Sequence, residues 1–195
     1  MMRFLPLIWV ILFAVDVQAQ SYVVREEDSV ERISLGIVGS YGQLMNAGRT
    51  LQGFGYEANG LFRIGERLSA GLCLFQALDA ATNVTALYTG FRSVLNYSFT
   101  HSLFGRTRKI IVDEKVVVIN HQKEANVFSV ESGLEQIFLN STTNVAPTTG
   151  FTFGVRYDFA FRSFAMMAVA RTGVLTLESA TVTPLSVGLG VAYKF

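Results

Sequence analysis

Side-chain character along most of this chain repeats every second residue, and that period decides the fold class before anything else does. Between residues 52 and 64 one parity reads Phe54, Tyr56, Ala58, Gly60, Phe62 and Ile64, and the other Gly53, Gly55, Glu57, Asn59, Leu61 and Arg63. Successive side chains of a strand point to opposite faces, so alternation sustained this long is a strand signal. No helical period fits beyond residue 20. The pattern recurs at 87–99, 151–162 and 185–195, and more weakly at 33–42, 68–75, 127–138 and 164–177. In the 164–177 segment Arg171 is assigned to the inner face, which turns Phe164 and Met166 outward. Eight antiparallel strands result, each about 9–14 residues long, the length of tilted membrane-crossing strands.

Period two does not say which face meets solvent. A secreted soluble barrel is apolar inside and polar outside; a membrane barrel is inverted. Here the polar parity is dominated by Gly, Ser and Ala with isolated charges, while the other is dense in Phe, Tyr, Leu and Val. Small residues with a few charges suit a narrow interior, and the aromatic parity suits lipid. Composition agrees: the chain is 50% hydrophobic and 16% charged, with 17 glycines, 16 phenylalanines and three prolines. A net charge of +1 leaves no electrostatic footprint for nucleic acid. The single cysteine, Cys73, excludes an intrachain disulfide and reads as a small packed residue on the inner face. No metal site and no cofactor are expected.

Residues 1–19 read as a cleaved secretory signal peptide: Arg3, an apolar run over residues 4–15, then Val17-Gln18-Ala19. Residues 20–32 read as a periplasmic N-terminal segment, with Arg25-Glu26-Glu27-Asp28 a solvated tail. At the other end Tyr193-Lys194-Phe195 closes an apolar alternation on an aromatic residue. With the leader and eight strands, residues 29–195 resemble the small bacterial outer-membrane β-barrels of the OmpA-transmembrane and OmpX type. The resemblance implies an all-β, up-and-down transmembrane barrel over residues 33–195, located in the bacterial outer membrane. It also implies surrounding outer-membrane lipid, a monomeric state, and recognition of the C-terminal strand, through Tyr193 and Phe195, by the barrel-assembly machinery.

Members of that family keep both termini in the periplasm. Gly65-Glu66 and Arg162-Ser163 then become tight periplasmic turns, and the outer loops fall at 43–50, 79–84, 140–149 and 178–183. One connection is unusual. Within 100–126, Arg106-Thr107-Arg108-Lys109 leads into Ile110-Ile111-Val112, a charged turn and a second apolar arm, a hairpin at about 106–122. It reads either as a periplasmic-side extension of two barrel strands or as two further strands that make the barrel ten-stranded. Its role is either a tolerated insertion or a contact site for a periplasmic partner.

The inner parity carries Glu57, Arg92, Glu131, Glu135, Arg156, Asp158 and Arg171. Glu57, Arg92, Glu135 and Arg171 each lie at similar depth from the nearest turn, so opposite charges are expected to meet and pair near mid-barrel, where an isolated charge is costly. An eight-stranded barrel leaves room for side chains or one small ligand. The network therefore reads as a salt-bridged plug in a largely closed lumen, or as a narrow ion path through rearranging pairs. Enzymatic function is not expected. Lipid-modifying and proteolytic barrels need an acid–base group at the outer rim, and the chain's two histidines, His101 and His121, fall on the periplasmic side. The expected role is structural or envelope-related, with a narrow channel or a periplasmic interaction module through residues 106–122 as alternatives.

Overall fold

The computed structural model describes residues 24–46, 49–79, 86–100, 102–112, 115–122, 126–139, 147–161, 163–177 and 180–195. The leader at 1–19, His101 and Arg162 lie outside the described residues. The described chain is built from strands: β1 (Val24–Val30), β2 (Ile33–Asn46), β3 (Arg49–Arg63), β4 (Leu68–Asp79), β5 (Ala86–Ser98), β6 (Arg106–Val112), β7 (Lys115–Gln122), β8 (Asn126–Leu139), β9 (Pro147–Phe161), β10 (Phe164–Leu177) and β11 (Ala180–Lys194). Eight of them close a barrel in the order β10-β11-β2-β3-β4-β5-β8-β9, every neighbouring pair antiparallel. The closing seam joins the first barrel strand to the last, from Ser34 opposite Lys194 to Met45 opposite Thr183. It is carried one residue further by Phe195 N donating to Ile33 O at 2.9 Å.

The faces divide as the parity requires. Leu35, Ile37, Leu72, Phe91, Phe153, Val187 and Leu189 stand on the outside and are exposed, while Val38, Cys73, Val94, Ile137 and Val169 are buried in the lumen. Polar side chains are buried with them. An apolar exterior around a polar and charged interior is the inverse of a water-soluble barrel and belongs in a bilayer. Aromatic rings gather at the end of the barrel where its first strand begins and its last strand finishes: Tyr97 against Phe99, Phe99 against Phe128, Phe164 against Tyr193, and Tyr193 against Phe195. Such girdles sit where hydrocarbon meets headgroups.

Several boundaries differ from the sequence reading. The loop expected at 43–50 is almost entirely strand: β2 runs on to Asn46 and β3 begins at Arg49. Gln43 pairs with Gln52 and Leu44 with Leu51 across it, so polar residues here are ladder members and not a turn. β9 likewise begins at Pro147 and β11 at Ala180, inside the loops expected at 140–149 and 178–183. β11 starts early despite Pro184. Its pairing with β10 skips from Leu185 to Val182, while Pro184 faces Leu44 of β2, so the missing N–H falls in a gap of one ladder. A second gap, between β5 and β8, is bridged by a side chain: Leu134 N donates to Ser93 Oγ at 3.0 Å, and Ser93 Oγ to Leu134 O at 3.3 Å.

The hairpin at 106–122 neither widens the barrel nor extends its strands. β6 and β7 pair with each other and, with β1, form a separate sheet in the order β1-β6-β7. That sheet and the barrel are two separate compact units. Residues 25–28, read as a solvated tail, are instead the middle of β1. Their charge is what suits them to a strand here: Asp28 accepts from Arg106 and Glu26 from Arg108. These residues are still exposed, so water screens each pair and it contributes little to stability.

Candidate functional site: the charged lumen

The seven ionisable residues expected inside all lie in the lumen and are buried, none more than 6% exposed. Strand register sets the first contact: Arg92 of β5 lies directly opposite Glu135 of β8, and Arg92 Nε donates to Glu135 Oε2 at 2.5 Å. The guanidinium also stands over the Phe75 ring, 5.0 Å from its centroid, and reaches 3.7 Å from Glu57 Oε2. Arg171 of β10 spans the lumen. Its Nη1 donates to Glu57 of β3 at 2.6 Å and its Nε to Glu131 of β8 at 2.9 Å. Arg156 approaches Glu131 at 3.6 Å and grips Asp158 through Nε at 2.6 Å and Nη2 at 2.8 Å.

Lys194, which the sequence reading had not placed in the network, completes the series. It is 1% exposed, its Nζ 3.8 Å from Asp158. The sign alternates at every step: Glu135, Arg92, Glu57, Arg171, Glu131, Arg156, Asp158, Lys194. The inner parity of the last strand was the signal available for Lys194.

A second feature was missed. The segment from Ser102 to Gly105 closes over the terminal end of the lumen, with Leu103 and Phe104 buried at 3% and 5% exposure. Lys194 Nζ donates to Leu103 O at 2.8 Å. Glu31 holds the neck of this segment twice, its N donating to Gly105 O at 3.0 Å and its carboxylate accepting from Gly105 N at 2.8 Å. Two adjacent large apolar residues in a short polar connection, residues 100–105, were the clue in the sequence. Consecutive residues cannot both face inward from a strand, so burying both requires the irregular backbone seen here.

On the far-end side of the charged layer a cavity of about 30 Å³ remains, bordered by Phe75, Tyr88, Thr152 and Ser186, with room for one or two water molecules. Cys73 is fully buried, its Sγ 3.5 Å from Glu57 Oε2. Toward the terminal end the lumen wall contributed by β2–β5 is polar but uncharged. There Ser34, Asn59, Ser69 and Ser98 are buried, and their side chains have no hydrogen-bond partner among the described residues. Among the described residues no cluster of ligating side chains fits a metal ion.

An eight-stranded antiparallel barrel with an apolar belt, an aromatic girdle and a charged core is a transmembrane β-barrel of the outer-membrane type. Solved structures bear out that fold. The chain is similar to Neisserial surface protein A (NspA), with a TM-score of 0.60 at 11% identity over 86% of this chain and 99% of that one. It is also similar to the N-terminal β-barrel domain of Pseudomonas aeruginosa OprF, with a TM-score of 0.55 at 15% identity over 85% and 99%. No family model matches the chain, and no curated protein matches it in sequence.

Proposed function

We propose that this protein is a closed, non-enzymatic barrel of the bacterial outer membrane with a structural or envelope-related role. The observation that carries this reading is the burial of all eight lumen charges in alternating contact, with solvent reaching none beyond 6%. A lumen filled this way offers no route to a metabolite. On this reading both termini and the aromatic girdle beside them face the periplasm, outer-membrane lipid surrounds a single copy, and Tyr193 and Phe195 are read by the assembly machinery. The test is planar-bilayer recording of the purified folded barrel. A silent membrane at physiological salt is the expected result, and discrete conductance steps would overturn closure.

One observation favours a second reading, a narrow channel. The uncharged wall of Ser34, Asn59, Ser69 and Ser98 keeps polar atoms that find no protein partner, and buried polar groups of this kind are commonly satisfied by water. A hydrated strip beside the ion pairs would give an ion somewhere to go once the pairs rearranged. Conductance that changes with Glu57→Ala or Arg92→Ala would favour this reading over the closed one.

A further inference from the structure

The three-stranded sheet has two edges, and they are built differently. β1 carries four consecutive charges, Arg25 to Asp28, and charged side chains guard a sheet edge against further pairing. β7 carries no such guard. After Lys115 it runs Val116, Val117, Val118, Ile119, and Val116, Val117 and Ile119 are 51%, 62% and 54% exposed. Among the described residues β7 pairs only with β6, so one side of its backbone presents N–H and C=O groups to no strand. A bulge interrupts that row: Ile110 faces Val118 and Ile111 faces Val116, leaving Val117 as the extra residue. The regular stretch is therefore Val118 to Gln122.

Charge narrows the occupant. Arg25, Arg106 and Arg108 each have a carboxylate partner within the sheet. Lys115, and Lys109 opposite Ile119, have none among the described residues. β7 contains no acidic residue, so a second copy of this strand would bring Lys115 no counter-charge. An anionic lipid surface would meet the lysines but leave the backbone row unpaired. We propose that β7 accepts an extended polypeptide segment of a partner protein, added as a strand beside Val118–Gln122, with carboxylate side chains set against Lys109 and Lys115.

The test uses the full chain folded in nanodiscs of zwitterionic lipid. Two dye-labelled octapeptides serve as probes, one alternating Val with Glu and one alternating Val with Lys, read by fluorescence anisotropy. The Val/Glu peptide is expected to bind saturably and to slow amide hydrogen exchange at residues 118–122; the Val/Lys peptide is not. Val117→Lys with Ile119→Lys guards the edge as β1 is guarded and should weaken binding at least about tenfold. Lys115→Glu should reverse the preference between the two peptides. Unchanged exchange of β6 amides in the free variants shows that the sheet still forms. Binding that survives the double lysine variant, binding without protection of 118–122, or no saturable binding of either peptide overturns the proposal. Capture of the wild type by anionic phosphatidylglycerol vesicles with no peptide binding overturns it in favour of a membrane.

Discussion

Replacing Arg171 by methionine tests the charged core at its most connected point. The guanidinium holds Glu57 at 2.6 Å and Glu131 at 2.9 Å. Without it each carboxylate keeps one arginine at longer range, Arg92 at 3.7 Å from Glu57 and Arg156 at 3.6 Å from Glu131. Methionine fills similar volume, so the cavity contribution is small and the loss is electrostatic. Breaking a buried pair by removing one partner costs about 3–5 kcal/mol. The surviving arginines keep the total within that range although two acids are affected. Adding Glu57→Gln and Glu131→Gln removes the uncompensated charge and should recover most of the loss. The chain's one tryptophan is Trp9, within the segment expected to be a leader, so the barrel strands carry no indole reporter. The folded fraction is read instead from unboiled gel mobility across a urea series in phosphatidylcholine vesicles. A loss under about 1 kcal/mol, or a triple variant no more stable than the single, would refute the reasoning.

Gly133→Ala should sharply lower the yield of folded barrel on the same gel, because its Cβ would lie 1.7 Å from the backbone oxygen of Ser93 and force β5 and β8 apart. Gly60→Ala, whose Cβ meets nothing nearer than Leu35 Cδ2 at 3.4 Å, should fold normally beside it. Lys194→Met leaves Asp158 in its two-point grip by Arg156 but takes the donor from Leu103 O, so urea unfolding should show a loss of about 1–3 kcal/mol, less than for Arg171→Met. Leu103→Ser with Phe104→Ser should leave a bilayer silent, because the charged layer still blocks the lumen; adding Glu57→Ala and Arg171→Ala should bring conductance steps. Phe195→Ala should reduce assembly in cells far more than spontaneous folding into vesicles, measured by heat-modifiable band intensity in each.

The barrel was legible because its physics is local. Alternation at Phe54, Tyr56 and Phe62 against Glu57 and Asn59 follows from the pleat alone, and placing Arg171 inside sufficed to orient β10. Depth counted along the strands brought Glu57, Arg92, Glu135 and Arg171 to one level, since register in a meander is set by tight turns. What escaped was non-local. Gln43 and Thr50 have turn-like composition, and only their pairing partners make them strand. The last strand, expected from 185, begins before Pro184, because a gap in the β10 ladder, invisible in sequence, accommodates the proline. The charges of residues 25–28 became a strand edge only because Arg106 and Arg108, some eighty residues away in the chain, stand opposite. The burial of Leu103 and Phe104 depends on Lys194 and Glu31, which come from opposite ends of the barrel sequence.

The alternating lumen charges have a consequence for how the barrel comes together. Arg171 on β10 reaches Glu57 on β3 and Glu131 on β8, Arg92 on β5 reaches Glu57, and Lys194 on β11 reaches Asp158 on β9. None of these contacts joins strands that are neighbours in the sheet. Three of them lie within runs of three successive strands, β3–β5, β8–β10 and β9–β11, whereas Arg171–Glu57 joins β10 to β3 across the closing seam. The stabilisation from Arg171–Glu57 arrives only when the last strand meets the first. Interactions absent until the final step act on the rate of escape and not on the rate of entry. The Arg171–Glu57 pair works as a latch, engaged once the ring is shut.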